Sequence, residues 1–430
     1  MNRDSSVSSR PIRILCLSNG HGEDAIALRI LQALQRHPAQ PDIAALPIVG
    51  VGQAYRNHDI PMVGPTKQLP SGGFIYMDRR QLLRDVQGGL IGLTWQQFQV
   101  VRQWAAKGGC ILAVGDIVPL AFAWLSGAPY YFVGTAKSDY YLRDESGRLP
   151  RQSWFENLEG LFGSVYLPWE RWMMAHRRCR AVFPRDRLTT TVLQDFSIPA
   201  VNLGNPMMDG LDERTGALPS YLTSESDRPL TITLLPGSRS PEAYDNWRQI
   251  LQVVQVLCDQ IWQRSLVFLG AIAPNLDLDV LQTSLTQQGW RIQSTDPLTM
   301  TQRKSTLILT SSAFADCLHA GDVAIAMAGT ATEQFVGLGK PAITIAGNGP
   351  QFTPAFAEAQ TRLLGPSIRL IQAPDQAVQV LNQLLNDPDR LQMVAENGKR
   401  RMGTSGAAER IAASIIQRST YTEPAAIPSE

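Results

Sequence analysis

Thr231-Ile232-Thr233-Leu234-Leu235-Pro236-Gly237-Ser238-Arg239 is an apolar, partly β-branched run that stops in a glycine turn. Residues of this kind favour a strand, and Pro-Gly ends it. A helix is expected to begin near Tyr244. Strand, glycine turn and helix in that order form the opening unit of a doubly wound parallel sheet, which binds ligands at the ends of its strands. The turn suits a pyrophosphate: Gly237 permits close approach, Ser238 donates, and the Arg239 guanidinium pairs with phosphate oxygens as a fork. The same residues also read as a surface turn with a solvated arginine.

The chain opens with the same unit. Residues 12–17 are a short apolar run, followed by Ser18-Asn19-Gly20-His21-Gly22-Glu23-Asp24 and a helix with Ile26, Ile30, Leu31 and Leu34 on one face. Further strands are predicted at residues 43–51, 111–114 and 130–133, with a helix around 120–125. In the second half they are predicted at 266–269, 307–310, 323–327 and 342–345, the last closing the series. Strands alternating with helices in both halves predict an α/β chain with two parallel sheets. The expected organisation is a disordered leader over 1–11, a first domain over 12–209, a polar linker over 210–228 and a second domain over 229–375. Helices over 376–417 and a disordered tail over 418–430 complete it.

Composition sets the outer limits. A chain of 430 residues exceeds one ordinary core. A net charge of +1 gives no basis for nucleic-acid binding. Cys16, Cys110, Cys179, Cys258 and Cys317 stand far apart, which speaks against zinc or a disulfide framework and for a reducing, cytoplasmic compartment. The most apolar stretch, residues 111–134, is broken by Asp116, Pro119, Gly127 and Pro129, so no membrane span is predicted.

The remaining motifs carry candidate chemistry. Ala328-Gly329-Thr330-Ala331-Thr332-Glu333 follows a strand and opens a helix, so backbone N–H groups at its start can meet an anion. Glu333 can accept the hydroxyls of a ribose; Thr330 with Glu333 also reads as a capping box. In the first turn, Gly20 and Gly22 beside Asn19 can let a substrate approach the backbone, and His21 is a candidate base or phosphate contact, or a turn histidine in solvent. Asp24 is a catalytic candidate or a residue of the helix start. Asp116 is a candidate general base or a helix cap. Asp277-Leu278-Asp279 matches a short metal-binding pattern but reads as a capped helix start, and no metal is expected.

Together these motifs resemble the lipid-A-disaccharide synthase family and, more distantly, the peptidoglycan glycosyltransferase that makes lipid II. Ser18-Asn19-Gly20-His21-Gly22-Glu23-Asp24 is similar to the family's first loop, and Leu234-Leu235-Pro236-Gly237-Ser238-Arg239 to its phosphate loop. Gly204-Asn205-Pro206-Met207-Met208-Asp209 resembles its interdomain segment, and Gly329-Thr330-Ala331-Thr332-Glu333 with Gly339-Lys340-Pro341 its donor-site helix. The likeness runs over roughly residues 12–415. It implies the GT-B fold, two Rossmann-like domains facing a cleft, with the acceptor held by the first and the nucleotide-sugar by the second. It also implies inverting, metal-independent transfer without a cofactor, a final helical segment that returns to the first domain, and Gln351 against the donor sugar. The family has a glutamate where Gly20 stands and a second aspartate after the one matched by Asp116.

The expected function is transfer of a hexosyl group of the N-acetylglucosamine type from a UDP-sugar to a lipid-linked acceptor. Two apolar-plus-basic stretches suit a peripheral seat on an anionic membrane. One carries Leu90, Ile91, Leu93, Trp95, Phe98, Val100, Val101 and Trp104; the other carries Trp169, Trp172, Met173 and Met174 with Arg171, Arg177, Arg178 and Arg180. They read equally as core helices with solvated arginines. The rival readings are a UDP-sugar 2-epimerase and a non-catalytic descendant that binds a nucleotide-sugar or lipid.

Overall fold

The computed structural model describes residues 12–67, 90–150, 160–222, 228–261, 264–347 and 349–420. The expected leader lies outside the described residues, as does the tail beyond residue 420. Two compact units divide the chain. The first comprises Met1–Glu145, Pro150–Asp209 and Gly406–Glu430; the second comprises Ser146–Leu149 and Gly210–Ser405.

The first unit is built on a parallel five-stranded sheet of β1 (Arg13–Asn19), β2 (Asp42–Val49), β3 (Cys110–Gly115), β4 (Tyr130–Gly134) and β5 (Cys179–Phe183), in the order β2-β1-β3-β4-β5. Ile14, Leu15, Cys16 and Leu17 are all fully buried. Helices cover both faces of such a sheet, so its strands read as unbroken apolar runs. On one face lie α1 (His21–Arg36) and the helix Ala407–Thr420; α2 (Leu90–Ala106), α3 (Ile117–Leu125) and α4 (Pro168–Met174) help build the core on the other. Strand β5 was not expected. Its Arg180 and the arginines before it mask a short apolar run.

The second unit has an eight-stranded sheet of β6 (Leu230–Leu235), β7 (Leu266–Ala271), β8 (Arg291–Thr295), β9 (Leu298–Gln302), β10 (Ser305–Thr310), β11 (Val323–Ala326), β12 (Ala342–Ile345) and β13 (Ile368–Ile371). Its order is β8-β9-β10-β7-β6-β11-β12-β13. The strands from β10 to β13 in that order are parallel, and β8 and β9 add an antiparallel edge. The series therefore does not close at residues 342–345; β13 lies beyond. After α5 (Arg187–Asp195) in the first unit come α6 (Glu242–Gln260), α7 (Leu278–Gln287), α8 (Phe314–Ala320), α9 (Thr330–Gly337), α10 (Pro354–Leu364), α11 (Gln376–Leu385) and α12 (Pro388–Met402) in the second. Trp247 of α6, fully buried, anchors one core with Phe268, Leu281 and Leu307.

The C-terminal helices part company. Helix α11 packs on α6 and α12 on α9, both within the second unit; only α13 (Ala407–Thr420) packs on α1. The return to the first unit is thus one helix rather than the whole of residues 376–417. Residues 418–420, expected in a disordered tail, are its last turn.

Candidate functional site

In both sheets the chain runs outward from a central strand and then returns to its other side. Strand β1 lies between β2 and β3, and β6 between β7 and β11. Ligands of open α/β sheets bind at such switch points, outside the carboxyl ends of the strands. The sequence motifs fall there: residues 18–24 at the end of β1 and the start of α1, Asp116 after β3, residues 236–239 after β6 and residues 328–333 after β11.

In the second unit Gly237 has φ 95°, and a Cβ there would stand 3.4 Å from the Met327 carbonyl oxygen, so the loops after β6 and β11 are nearly in contact. Ser238 and Arg239 are exposed. Asn275 Nδ2 donates to the Ser238 carbonyl at 2.8 Å and steadies the loop. Glu242 and Asp245 occupy the first turn of α6. Those carboxylates compete with a phosphate for the positive helix end, so an anion held by Ser238 and Arg239 is better served by α9.

Helix α9 begins without a side-chain cap, with Gly329 in the cap position. The capping box of Thr330 and Glu333 does not form. The first turn of a helix leaves N–H groups without intrahelical partners, a natural anion seat. Thr330 is exposed and Ala331 half-buried, whereas the Thr332 hydroxyl donates to the Ala328 carbonyl at 2.6 Å and is turned into the helix. Glu333 is buried in the same turn. Gln351, half-buried, donates its N–H to Glu242 Oε1 at 3.1 Å. Lys340 has a different task from the α9 motif it follows: its Nζ donates to the carbonyls of Leu318 and Gly321 at 2.9 and 2.6 Å, and to that of His319, closing the end of α8. Burial, with Arg228 and Arg214 nearby, lowers its pKa to about 8.

In the first unit Asp116 and Asn19 meet across neighbouring strand ends. Asp116 Oδ1 accepts the Val118 N–H at 2.9 Å as the cap of α3, and Oδ2 accepts from Asn19 Nδ2 at 3.0 Å. Burial raises its pKa above the ordinary carboxylate value, against hydrogen bonds from Val118 and Asn19 and the charge of Lys137. Cap and base are therefore compatible readings, and the half-buried side chain retains access. Asp24 is placed otherwise. It is buried and accepts the Ser18 hydroxyl at 2.6 Å, and Ser18 Oγ also lies 2.6 Å from the Tyr55 hydroxyl. That geometry fixes the turn rather than presenting a base. Gly20 has a φ of 132°. Gly22 lies in the first turn of α1, as does His21, whose side chain lies outside the described residues. Asp277 caps α7 by accepting the Asp279 N–H at 2.9 Å, and among the described residues no group of three or more His, Cys, Asp or Glu is placed to hold a metal.

Three polar groups went unread in the sequence. Asn246 Nδ2 donates to the Pro236 and Met327 carbonyls at 3.0 and 3.2 Å, and Gln360 Nε2 to Ala328 O at 3.0 Å. The third is a buried acid pair after β4 and β5: Asp139 accepts from Ser164 Oγ at 3.0 Å, and Asp186 accepts from Thr189 N and Oγ1 at 2.7 and 2.9 Å. Burial lifts Asp139 to about 7, opposed by the Ser164 hydroxyl and Arg143 and reinforced by Asp186. For Asn246 a signal existed: Glu242 and Asn246 continue the stripe of Ile250, Val253 and Leu257 at helical spacing, two polar groups on a core-facing face.

No protein-family model matches the chain, and no curated protein matches it in sequence. Among solved structures it is similar to MurG of Acinetobacter baumannii, at 13% identity and a TM-score of 0.55 over 95% of this chain and 100% of that one. It is also similar to the UDP-GlcNAc 2-epimerase from Neisseria meningitidis bound to UDP-GlcNAc, at 13% and 0.52 over 94% and 100%. A third is CalG4, the calicheamicin glycosyltransferase, at 13% and 0.59 over 97% and 100%. The shared property is the fold: the chain is an α/β protein of GT-B type with Rossmann-like units.

Proposed function

We propose that the chain is a UDP-sugar-dependent glycosyltransferase that moves a hexosyl group, of the N-acetylglucosamine type, to a lipid-linked acceptor. The observation that carries this is the second unit's switch point, where exposed Ser238 and Arg239 follow β6 and the uncapped start of α9 follows the neighbouring β11, with Glu333 in its first turn. The diphosphate sits against the α9 N–H groups, with Ser238 and Arg239 neutralising charge as it leaves, in place of a metal. Glu333 accepts ribose hydroxyls, and Gln351 faces the sugar. In the first unit Asp116 takes the proton of the acceptor hydroxyl, its raised pKa suiting a base.

A lipid acceptor and a peripheral seat on the cytoplasmic face of an anionic membrane are supported by side chains that burial does not explain. Trp95, Trp169 and Trp172 are 60%, 53% and 58% exposed, with Arg177 and Arg180 exposed near the last two. Leu93, Val101, Trp104, Met173 and Met174 of the same stretches are core instead. Among the described residues no helix is long and apolar enough to cross a membrane.

The test is release of UDP from UDP-N-acetylglucosamine, with and without a glycolipid extract. Acceptor-dependent release with a new glycolipid supports transfer. Conversion of the nucleotide-sugar to its 2-epimer without acceptor would favour the epimerase, and binding without turnover the non-catalytic descendant.

A further inference from the structure

The first two turns of α6 hold polar groups where the rest of its inner face is apolar. Glu242 and Asn246 lie one helical turn apart, both more than nine-tenths buried, and are followed by Ile250, Val253 and Leu257. Their bonds all run to loops of the donor place. Asn246 Nδ2 reaches the carbonyl of Pro236, before Gly237, and that of Met327, before the α9 loop, at 3.0 and 3.2 Å. Glu242 Oε1 accepts the N–H groups of Gln351 and Phe352 at 3.1 and 2.6 Å.

From this geometry we infer that Glu242 and Asn246 are positioning residues that fix three loops of the donor place against one rigid helix. This rests on the donor reading above and deepens it. Buried polar groups in a core face are costly, and Asn246 Oδ1 is buried without a hydrogen-bond partner among the described residues, so this pair has a task beyond packing. The task is preorganisation: N–H groups aimed at a diphosphate stabilise it only if they stand in place before it arrives. Asn246 spans the neighbouring strand ends of β6 and β11, whose loops carry Ser238, Arg239 and Thr330. Glu242 adds the loop of Gln351. Gly349 belongs to the same arrangement, because a Cβ there would collide with Glu242 Oε1 and push the carboxylate off its two N–H donors.

The substitution N246D keeps the shape of the side chain but sets an oxygen against two carbonyls. The substitution G349A displaces Glu242 without changing it. Val253, fully buried in α6 two turns beyond Asn246, supplies the control: V253A opens a cavity in the same helix and removes no hydrogen bond to a loop. The four full-length proteins are compared by hydrogen–deuterium exchange without ligand and by titration with uridine diphosphate.

N246D is expected to speed exchange in residues 236–239 and 327–330, and G349A at Gln351 and Phe352. Each is expected to weaken uridine diphosphate binding by about tenfold or more. V253A lowers the melting temperature and leaves affinity unchanged. Wild-type affinity in both loop variants, or an equal loss in V253A, overturns the inference. If the wild type binds no uridine diphosphate, the donor reading fails, and exchange alone decides positioning: loops that exchange as in the wild type overturn it.

Discussion

Asp116 combines a cap and a raised proton affinity, and isosteric replacement separates the two. Asn at this position still accepts the Val118 N–H but cannot take a proton. D116N is therefore expected to lower the rate of acceptor-dependent UDP release about 100-fold or more while uridine diphosphate affinity stays as in the wild type. Rate loss matched by lost affinity would argue against a base. Asp139 makes a prediction about stability. Burial pushes its carboxyl up to about 7 from the ordinary 3.8, so the folded state holds the proton more tightly. Its contribution to stability is present below 3.8 and is lost as pH rises through about 7, with Asp186 shifted in the same direction. D139N is expected to flatten the fall of melting temperature across that window, read by thermal unfolding at a series of pH values. At this scale the placing of the glycine turns and of Asp116 at strand ends was legible, because each follows an apolar run that stops abruptly. Asp139 and Asp186 were not, since nothing local in either stretch says that β4 and β5 deliver them to one place.

At the scale of elements, Asp209 holds α13 in the first unit. Its carboxylate accepts three N–H groups at the helix start, from Gly406 and Ala407 at 2.6 and 3.0 Å and from Ala408 at 2.7 Å. Arg29 of α1 donates to the Pro206 and Met207 carbonyls of the same segment at 2.7 and 3.0 Å. Loss of a helix cap costs about 1–2 kcal/mol, so D209A is expected to lower the urea midpoint and to speed amide exchange in α13 before the rest of the unit. Unchanged exchange there would show that apolar contacts of Ile411 and Ile415 suffice. The sequence reading caught the buried strands other than β5, because their apolar runs need no partner to be seen. It missed β8, whose five residues are all exposed, and β13, where exposed Arg369 interrupts a short run. It set the return to the first unit too early, because helical periodicity in α11 and α12 shows an apolar face but not what that face meets.

The whole molecule is two Rossmann-like units, each with its own core and its own switch point. One consequence is local response to ligand: uridine diphosphate at 100 times its Kd adds about 2.7 kcal/mol to whatever binds it. Exchange in β6, β11 and α9 is therefore expected to slow, while β1 and β3 exchange at their ligand-free rate. The architecture was legible because alternating strands and helices repeat with a glycine turn at each opening strand. The proposed acceptor was not legible, because no motif in the first half of the chain names a substrate. The most direct measurement is calorimetric titration of the full chain with UDP, GDP, ADP and TDP, repeated on R239A and E333A. The account predicts that UDP binds with one site per chain and that both variants weaken it about tenfold or more. Absence of heat with every nucleotide, or wild-type affinity in both variants, would contradict a donor site at the ends of β6 and β11.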